Sequence, residues 1–588
     1  MKIGKHCVIQ ISMSADEVIC KAAEQLQTYI QKIFSVYLQI KTDNNFYEQY
    51  IAVGQTEYNL VSFKEIDQLE NDGCIYKVEK QCAQIVGKTS YGVLNGVFTF
   101  LEEVLGCRYF AKNDFYIPKK LDCELPECHY SYSPAFMQRA IYDGGCNDSN
   151  YAMANRLNDQ QYDLKDNEGA KSFFIAHFCH TLPKYISQEE YYEEHPEYFA
   201  LVGGVRLKKS QAQLCYSNPD IVDIAVQKIL SEKRENPNIK MFSLSQGDGY
   251  FFCECDTCKA AYKKYNAKSG PQIQFVNEVA KKVAIEYPEL IIDTLAYLHS
   301  RRPPKNIQIV KNVQVRLCSI ECNQLQPLGE SNAIEERCYE NGKSYPPEEY
   351  LSDLSGWKEL TERVFVWDYP INVRSVFIPY PNFKVLEKNI KTHQKYGVKG
   401  VFLNGVKSSQ YGSLSDWRNY LCAKLLWNPD CNIKEHSREF LEFYYGAASK
   451  KMEELLRFLE DRYNKKPIYM HCQYPLGRYP EFEDYYRGDF VQEYERLLKE
   501  AMALVIDDEK RYARIEREML SVYLIRLIYM SATDKEFEPL LEKYLSESRR
   551  LEVGELSECK SSEENVRYLL RSKDFLFEKY GQKDEKWL

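Results

Sequence analysis

Carboxylates, histidines and aromatic rings stand at the ends of short apolar runs through the middle of this 588-residue chain. Asp248 follows the run at 241–245 between Gly247 and Gly249, and Arg139 lies in the run at 136–142. His177 and His180 occur in AHFCHTL, Tyr297 in LAYLHS, Glu321 in LCSIEC, Trp367, Asp368 and Tyr369 in VFVWDYP, and Asn404 in VFLNG. Two carboxyl groups facing each other across a pocket can divide acid and base work on a glycosidic bond, while aromatic rings hold the faces of a sugar. Each residue also has a plainer reading. A glycine-flanked Asp is a common turn residue, a Glu after an apolar strand needs an ion partner if buried, and a Trp at a strand end often packs in a core.

Cys253, Cys255 and Cys258 form a C-x-C-x-x-C pattern that resembles half of a zinc site, which Cys215 or a distant histidine could complete. The reading adopted is a cluster of loop thiols without metal, with no third ligand evident for His177 and His180. No cofactor is expected. The chain has no G-x-x-x-x-G-K-[ST], no G-x-G-x-x-G after a strand and no G-x-S-x-G, which sets aside nucleotide binding and an esterase-type serine.

The elements that must carry these residues follow from periodicity. Over 136–402, apolar runs at 136–142, 172–176, 198–202, 241–245, 291–297, 313–318, 364–367 and 398–402 alternate with amphipathic helical stretches at 219–230, 273–287 and 383–396. Eight strands in that length predict an α/β fold of the (β/α)8 TIM-barrel type, with chemistry at the C-terminal ends of the strands. Asp248 then falls after about the fourth strand. Before the barrel, residues 1–130 read as a small α+β sandwich. It has helices at 14–33 and 90–105, the first opened by a capping box at Ser14 and the second stopped by Gly106, and strands at 37–41, 50–53, 74–78 and 83–86. After residues 131–430, the segment 431–588 reads as an all-α domain with helices at 436–463, 490–505, 509–529, 536–552 and 561–580.

The net charge of −9 without a basic stripe argues against nucleic acid as a partner, and no stretch approaches a membrane span. The N-terminus lacks the apolar run of a signal peptide, so a cytoplasmic protein with mostly reduced cysteines is expected. The oligomeric state is left open.

Long motifs carry a resemblance. HPEYFALVGGVR at 195–206, QLCYSNP at 213–219, SLSQGDGYFFCECDTC at 243–258, FVNEVA at 275–280, DTLAYLHSRRPPK at 293–305, VFVWDY at 364–369 and YLCAKLLWNPD at 420–430 resemble the bacterial family of domain of unknown function 4838, part of which is classified as glycoside hydrolase family 163. The segment with IAVGQTEYN and YGVLNGVFTFLEEVLGCRYF is similar to the N-terminal domain of family 67 α-glucuronidases and family 20 β-hexosaminidases. The resemblance implies a retaining or substrate-assisted glycosidase acting on N-acetylglucosamine-containing glycans, here an oligosaccharide or glycoside. This chain offers Asp248 where related barrels usually carry Glu.

The expectation is therefore a glycoside hydrolase with Asp248 and Glu321 as the carboxyl pair and Asp368 in support. Asp248 is the general acid or orients a substrate acetamido group, and Glu321 is its partner. Arg139, His177, His180, Tyr297, Trp367, Tyr369 and Asn404 would bind the sugar. The rival readings are a catalytically inactive carbohydrate-binding barrel, an α-glucuronidase-like hydrolase, and a zinc-dependent hydrolase built on the thiols and histidines.

Overall fold

The computed structural model describes residues 1–4, 6–159, 175–209, 212–249, 251–330, 347–468, 470, 472, 485–486, 488–558 and 563–571. Its N-terminal strands are β1 (Val8–Gln10), β2 (Gln39–Lys41), β3 (Tyr50–Val53), β4 (Cys74–Val78), β5 (Cys82–Gly87), β6 (Arg108–Ala111), β7 (Asp114–Tyr116) and β8 (Cys128–Tyr132). Six of them form one mixed sheet in the order β2-β1-β3-β5-β4-β8, and β6 and β7 form a separate hairpin. Helices Glu17–Phe34 and Ser90–Glu103 bury their apolar residues in the same core as Ile9, Ile51, Val53 and Ile85 of this sheet. The first helix is capped by Asp16, whose side chain accepts from the Ile19 N–H, two residues past the predicted Ser14. Gly106 takes a left-handed φ of 81° just beyond the second, as a C-terminal stop requires.

The following strands are β9 (Gln138–Tyr142), β10 (Ile175–Ala176), β11 (Leu201–Val202), β12 (Val205–Arg206), β13 (Met241–Ser243), β14 (Ile291–Ala296), β15 (Val313–Cys318), β16 (Val364–Asp368) and β17 (Gly400–Asn404). Seven of these pair in the order β10-β13-β14-β15-β16-β17-β9, and every pairing is parallel. The sheet is curled but not closed: β9, the first of the seven in the chain, pairs with β17, the last, and among the described residues no pairing joins the edge strands β9 and β10. Met241 of β13 and Phe365 of β16 meet inside it in one apolar cluster. The predicted strand at 198–202 is not in this sheet. It begins in a 3-10 turn at Pro196–Tyr198 and continues as the hairpin β11/β12. Gly203 and Gly204, with φ of 57° and 82°, make that two-residue turn, and a Gly-Gly pair between short apolar runs is a hairpin signal in its own right. Asp248 therefore follows the third strand of the parallel sheet. Residues 172–174 of the predicted second strand lie outside the described residues.

Side chains alternate between the two faces of each strand. Met241, Ile291 and Phe365 point into the curl, as do Leu295, Cys318, Trp367 and Phe402 nearer the mouth. Ile292, Val315, Val364, Val366 and Leu403 point out to the helices. Gly400 faces in beneath Phe402, where a Cβ would come within 2.4 Å of the Phe365 ring and 2.7 Å of the Gln138 Cβ, so the register of β17 against its neighbours tolerates no side chain there.

Residues beyond 430 are helical: Ile433–Tyr445, Ser449–Lys465, Phe490–Ala503, Glu509–Tyr529, Phe537–Arg550 and Glu563–Arg571. The single helix predicted at 436–463 is two, broken at Gly446 with φ 56°, where Arg511 packs so closely that a Cβ would lie 2.6 Å from its Nε. Of the helix predicted at 561–580, residues 561–562 and 572–580 lie outside the described residues. No helix among the described residues is long and apolar enough to cross a membrane. Between the helices ending at Arg550 and starting at Glu563, the chain returns to the parallel sheet. Gln410 N–H donates to Val553 (2.8 Å), Glu555 N–H to Ser408 (3.1 Å), Val376 N–H to Leu556 (3.1 Å) and Glu558 N–H to Val373 (2.8 Å).

The N-terminal and parallel sheets are tied by buried charge. Glu102, at the end of the second N-terminal helix, accepts from Arg156 (2.7 Å) and from Lys424, and all three are 3% exposed. Burial pushes the Glu102 carboxyl up, but Lys424 and Arg156 outweigh it and hold it well below the usual carboxylate range. One anion serves two cations, so burial still pulls Lys424 down to about 8. Replacing Glu102 by Gln strands both cations in the interior. It should lower unfolding free energy by about 3–5 kcal/mol, measured by denaturant titration, whereas a loss below about 1 kcal/mol would show that the cluster is not a clamp.

Candidate functional site

The C-terminal ends of the parallel strands form a mouth lined by rings. Trp367 lies with ring centroids 4.6 Å from Phe402 and 5.2 Å from Phe178, and its ring stacks with Tyr369 at 6.4 Å. Tyr142 adds to the wall beside Phe402 at 5.7 Å. Below this layer Arg316 pairs with Asp293 (3.0 Å), both 1% exposed or less, and its guanidinium lies over the Phe178 ring at 4.5 Å. Three polar groups here are buried without a hydrogen-bond partner among the described residues: Nε and Nη1 of Arg316, Nε1 of Trp367 and Oδ1 of Asn404. These atoms are closed to solvent and belong to the packing beneath the mouth.

Asp248 is exposed on the rim of this mouth, and the Tyr297 hydroxyl donates to its Oδ1 at 3.4 Å. Its turn is held from behind. The Gln213 amide donates to the carbonyls of Gly247 and Gly249, both at 2.8 Å, and accepts from the Gly247 N–H at 2.9 Å. Gln246, next in line, donates to the Tyr297 carbonyl (3.0 Å), which couples this turn to the end of β14. His180 stands beside them, with Nδ1 3.0 Å from the Gln246 carbonyl and its ring 5.8 Å from that of Tyr297. His180, Tyr297, Trp367, Tyr369 and Asn404 are thus gathered with Asp248.

The other candidates lie elsewhere, Asp368 and Arg139 because of strand parity. Asp368 is on the outward face of β16. Its carboxylate accepts from Ser319 and from the Tyr369 N–H (2.9 Å) and lies 3.6 Å from His393 on the helix Phe383–Lys395. Burial works against this carboxylate, but His393 and the hydrogen bonds outweigh it and lower its pKa. Glu321 is 2% exposed and sits 3.2 Å from Arg301, which also pairs with Asp353 at 2.9 Å on the outer helix Pro347–Leu360. Burial raises the Glu321 carboxyl, with Arg301 opposing. Both acids belong to a polar layer between sheet and helices. Arg139 also faces outward, at the opposite end of β9, where it pairs with Asp72 of the N-terminal part (2.7 Å) and lies over Trp427. His177 turns to Glu232 (2.9 Å) on the helix Asp220–Glu235.

A carboxylate that sequence reasoning missed fills the gap. Glu558, on the returning C-terminal segment, reaches the Asn404 side chain at the end of β17. Glu558 is exposed as a residue, but the protein crowded around its carboxyl raises its pKa above the ordinary glutamate value of 4.5; Asn404 and Arg374 oppose the rise, and the negative charge of Asp248 adds least to it. Glu558 also acts on Tyr142, Cys179 and Tyr369 around the mouth, and Asp248 on Cys179. The two carboxyl groups therefore sense each other across the opening. No local motif surrounds Glu558, which lies eight residues past the end of the helix Phe537–Arg550.

Among groups able to hold a metal, Cys215 joins Cys253, Cys255 and Cys258, with all four sulfurs within 4.8 Å of one another. They stand behind the Asp248 turn, not in the mouth.

None of the curated proteins matches this chain. Among solved structures, a family GH115 4-O-methyl-α-glucuronidase, BtGH115A, described as specific for decorated arabinogalactans, superposes with a TM-score of 0.60, covering 97% of this chain and 80% of its own at 11% identity. The chitobiase of Flavobacterium johnsoniae is similar at a TM-score of 0.44, over 94% of this chain and 96% of its own, at 13% identity. At such identities the GH115 match is a likeness of fold. The model of a domain of unknown function, DUF4838, matches residues 109–456, more than half of the sequence, and the chain belongs to that family.

Proposed function

We propose that this protein is a glycoside hydrolase in which Glu558 and Asp248 are the working carboxyl pair. The observation that carries the reading is that Glu558, at the Asn404 side chain, and Asp248, at the Tyr297 hydroxyl, stand at the same mouth, walled by Trp367, Tyr369 and Phe402. An acid that keeps its proton toward neutral pH can protonate a leaving glycosidic oxygen, and an anion opposite can orient the sugar or stabilise the positive charge that develops on it. Trp367, Tyr369 and Tyr297 present ring faces and a hydroxyl to the sugar, and His180 and Asn404 add hydrogen-bonding groups. Glu321 and Asp368 act as supports behind the strands.

In this reading residues 1–130, 131–430 and 431–588 are three units on a TIM-type barrel plan, the last supplying Glu558 to the mouth of the second. An N-acetylglucosamine-containing glycoside remains the substrate we favour, from the resemblance of the motifs. A glucuronide is the second reading. Arg374, whose charge acts on Glu558, is a cation that could meet a sugar carboxylate, and the GH115 structure is of a glucuronidase.

A screen of chromogenic glycosides, with N-acetylglucosaminides and glucuronides included, tests the activity and chooses between the two. On the responding substrate, Asp248→Asn and Glu558→Gln should each lower kcat by ~100-fold or more with the thermal transition unchanged, while Glu321→Gln should mainly lower that transition. Turnover near wild type in Glu558→Gln would remove it from the mechanism. Binding of sugars without hydrolysis of any substrate would favour the inactive-barrel reading.

The pH profile carries a sign. A general acid is lost as pH rises through its pKa, so the alkaline limb of kcat/KM should lie above 4.5, the ordinary glutamate value. Asn404→Leu removes a hydrogen bond that lowers that pKa and should move the limb to higher pH. A limb that stays in place would separate it from Glu558.

A further inference from the structure

We infer that Cys215, Cys253, Cys255 and Cys258 bind one structural zinc ion that braces the turn carrying Asp248. The Sγ of Cys215 lies 3.7 Å from that of Cys255 and 3.8 Å from that of Cys258, and the whole set falls within 4.8 Å. Four thiolates at the usual zinc–sulfur distance of ~2.3 Å stand about 3.8 Å apart at the corners of a tetrahedron. A disulfide needs its sulfurs at ~2.05 Å, so the spacing is that of ligands around an ion.

The surroundings fit thiolates. The Leu201 N–H donates to Cys253 Sγ (3.4 Å) and the Cys258 N–H to Cys255 Sγ (3.4 Å). Cys255 is the N-cap of the helix Asp256–Tyr265, where the helix dipole favours negative charge. Arg206 places a guanidinium nitrogen 3.7 Å from Cys253 Sγ. That cation offsets part of the two negative charges that a zinc ion and four thiolates carry together. Binding exchanges the four thiol protons for the one ion, so affinity falls in acid. The cluster is largely closed to solvent, with Cys215, Cys253 and Cys258 at 4% exposure or less, as in structural sites with no open position.

The four cysteines come from two segments that already meet through the backbone, where the Gln213 N–H donates to the Phe251 carbonyl (3.0 Å) and the Cys215 N–H to the Tyr198 carbonyl (2.8 Å). Cys215 stands two residues from Gln213, whose amide makes the three hydrogen bonds that shape the 247–249 turn. Cys253 stands five residues past Asp248 and receives the Leu201 N–H of the β11/β12 hairpin. A tetrahedral ion would lock the hairpin, the Gln213 strand and the start of the helix to one another. Asp248 would then be presented by a rigid support, and the cysteines are positioning residues.

Elemental analysis of the full chain, purified without chelator, should give one zinc per chain. Cobalt substitution should give the intense visible bands of a tetrahedral tetrathiolate site. Cys253→Ser should lower the zinc content to a small fraction, and if that variant fails to fold, release of zinc from the wild-type chain by a mercurial, followed with a colorimetric chelator, reads the same stoichiometry. Removing the ion should speed amide hydrogen exchange at 199–215 and 247–258 and leave β14–β17 protected. Metal-free protein that neither takes up zinc nor shows the cobalt bands, with its four thiols freely titrated in the native state, would overturn the inference. So would recovery of a disulfide between any two of them, and unchanged exchange at 247–258 after zinc release would overturn the bracing role.

Discussion

The parallel ladder between β9 and β17 is the contact on which the rest of the molecule depends. It runs in register from Gln138 opposite Gly400 to Tyr142 opposite Asn404 and brings the first strand of the sheet beside the last. Without it β9 would leave the edge of the sheet and Tyr142 the wall beside Phe402. With it Phe402, Trp367 and Phe178 share one apolar layer over the Arg316–Asp293 pair. Gly400 makes the register possible, since the Phe365 ring occupies the place of its missing side chain. A one-residue slip would turn Trp367 or Phe402 outward and dismantle the mouth.

Alternation along the strands then sorts the charged residues into two populations. Those facing in, such as Asp293 and Arg316, or at the rim, such as Asp248, lie along the opening. Those facing out are bound into the helix layer: Asp368 to His393, Glu321 to Arg301, and Arg139 to Asp72. Each charge of the outward set meets a partner, and removing one partner of a buried pair costs more than the pair contributes. The Glu102 cluster is the same device at the other end of the sheet, where it joins the N-terminal helix to the helix Ser415–Trp427.

The C-terminal helices have a second role beyond packing. Their aromatic and aliphatic residues share a core with Val373, Phe377 and Tyr420 of the preceding part, which fixes the segment after Arg550 against the mouth. Backbone hydrogen bonds from Val376, Gln410 and Glu558 finish the placement. On the proposed reading the site draws on both halves of the chain, with Asp248 offered by the turn after β13 and Glu558 by the segment that returns after the helix Phe537–Arg550.

Much of this was legible in the residues themselves. Apolar periodicity located six of the seven parallel strands almost to their ends, and the seventh in part, because burial on both faces leaves long apolar runs. The glycine-rich break after 241–245 marked Asp248 as a rim residue, and Tyr297, Trp367, Tyr369 and Asn404 followed from their places at strand ends. The Gly203–Gly204 hairpin was also written in the sequence, although a run of apolar residues before it read as a strand. Sequence alone does not determine which way a strand-end residue faces. Asp368 and Trp367 are neighbours on one strand, yet one lies in the helix layer and the other in the mouth. The sequence offered Cys215 as one of two ways to complete the set of three later cysteines without deciding between them, and it gave no sign that Glu558 comes back to Asn404. Local propensity is set by neighbours within a few residues, whereas those meetings are decided by the curling of the sheet and by where the last helices find their core.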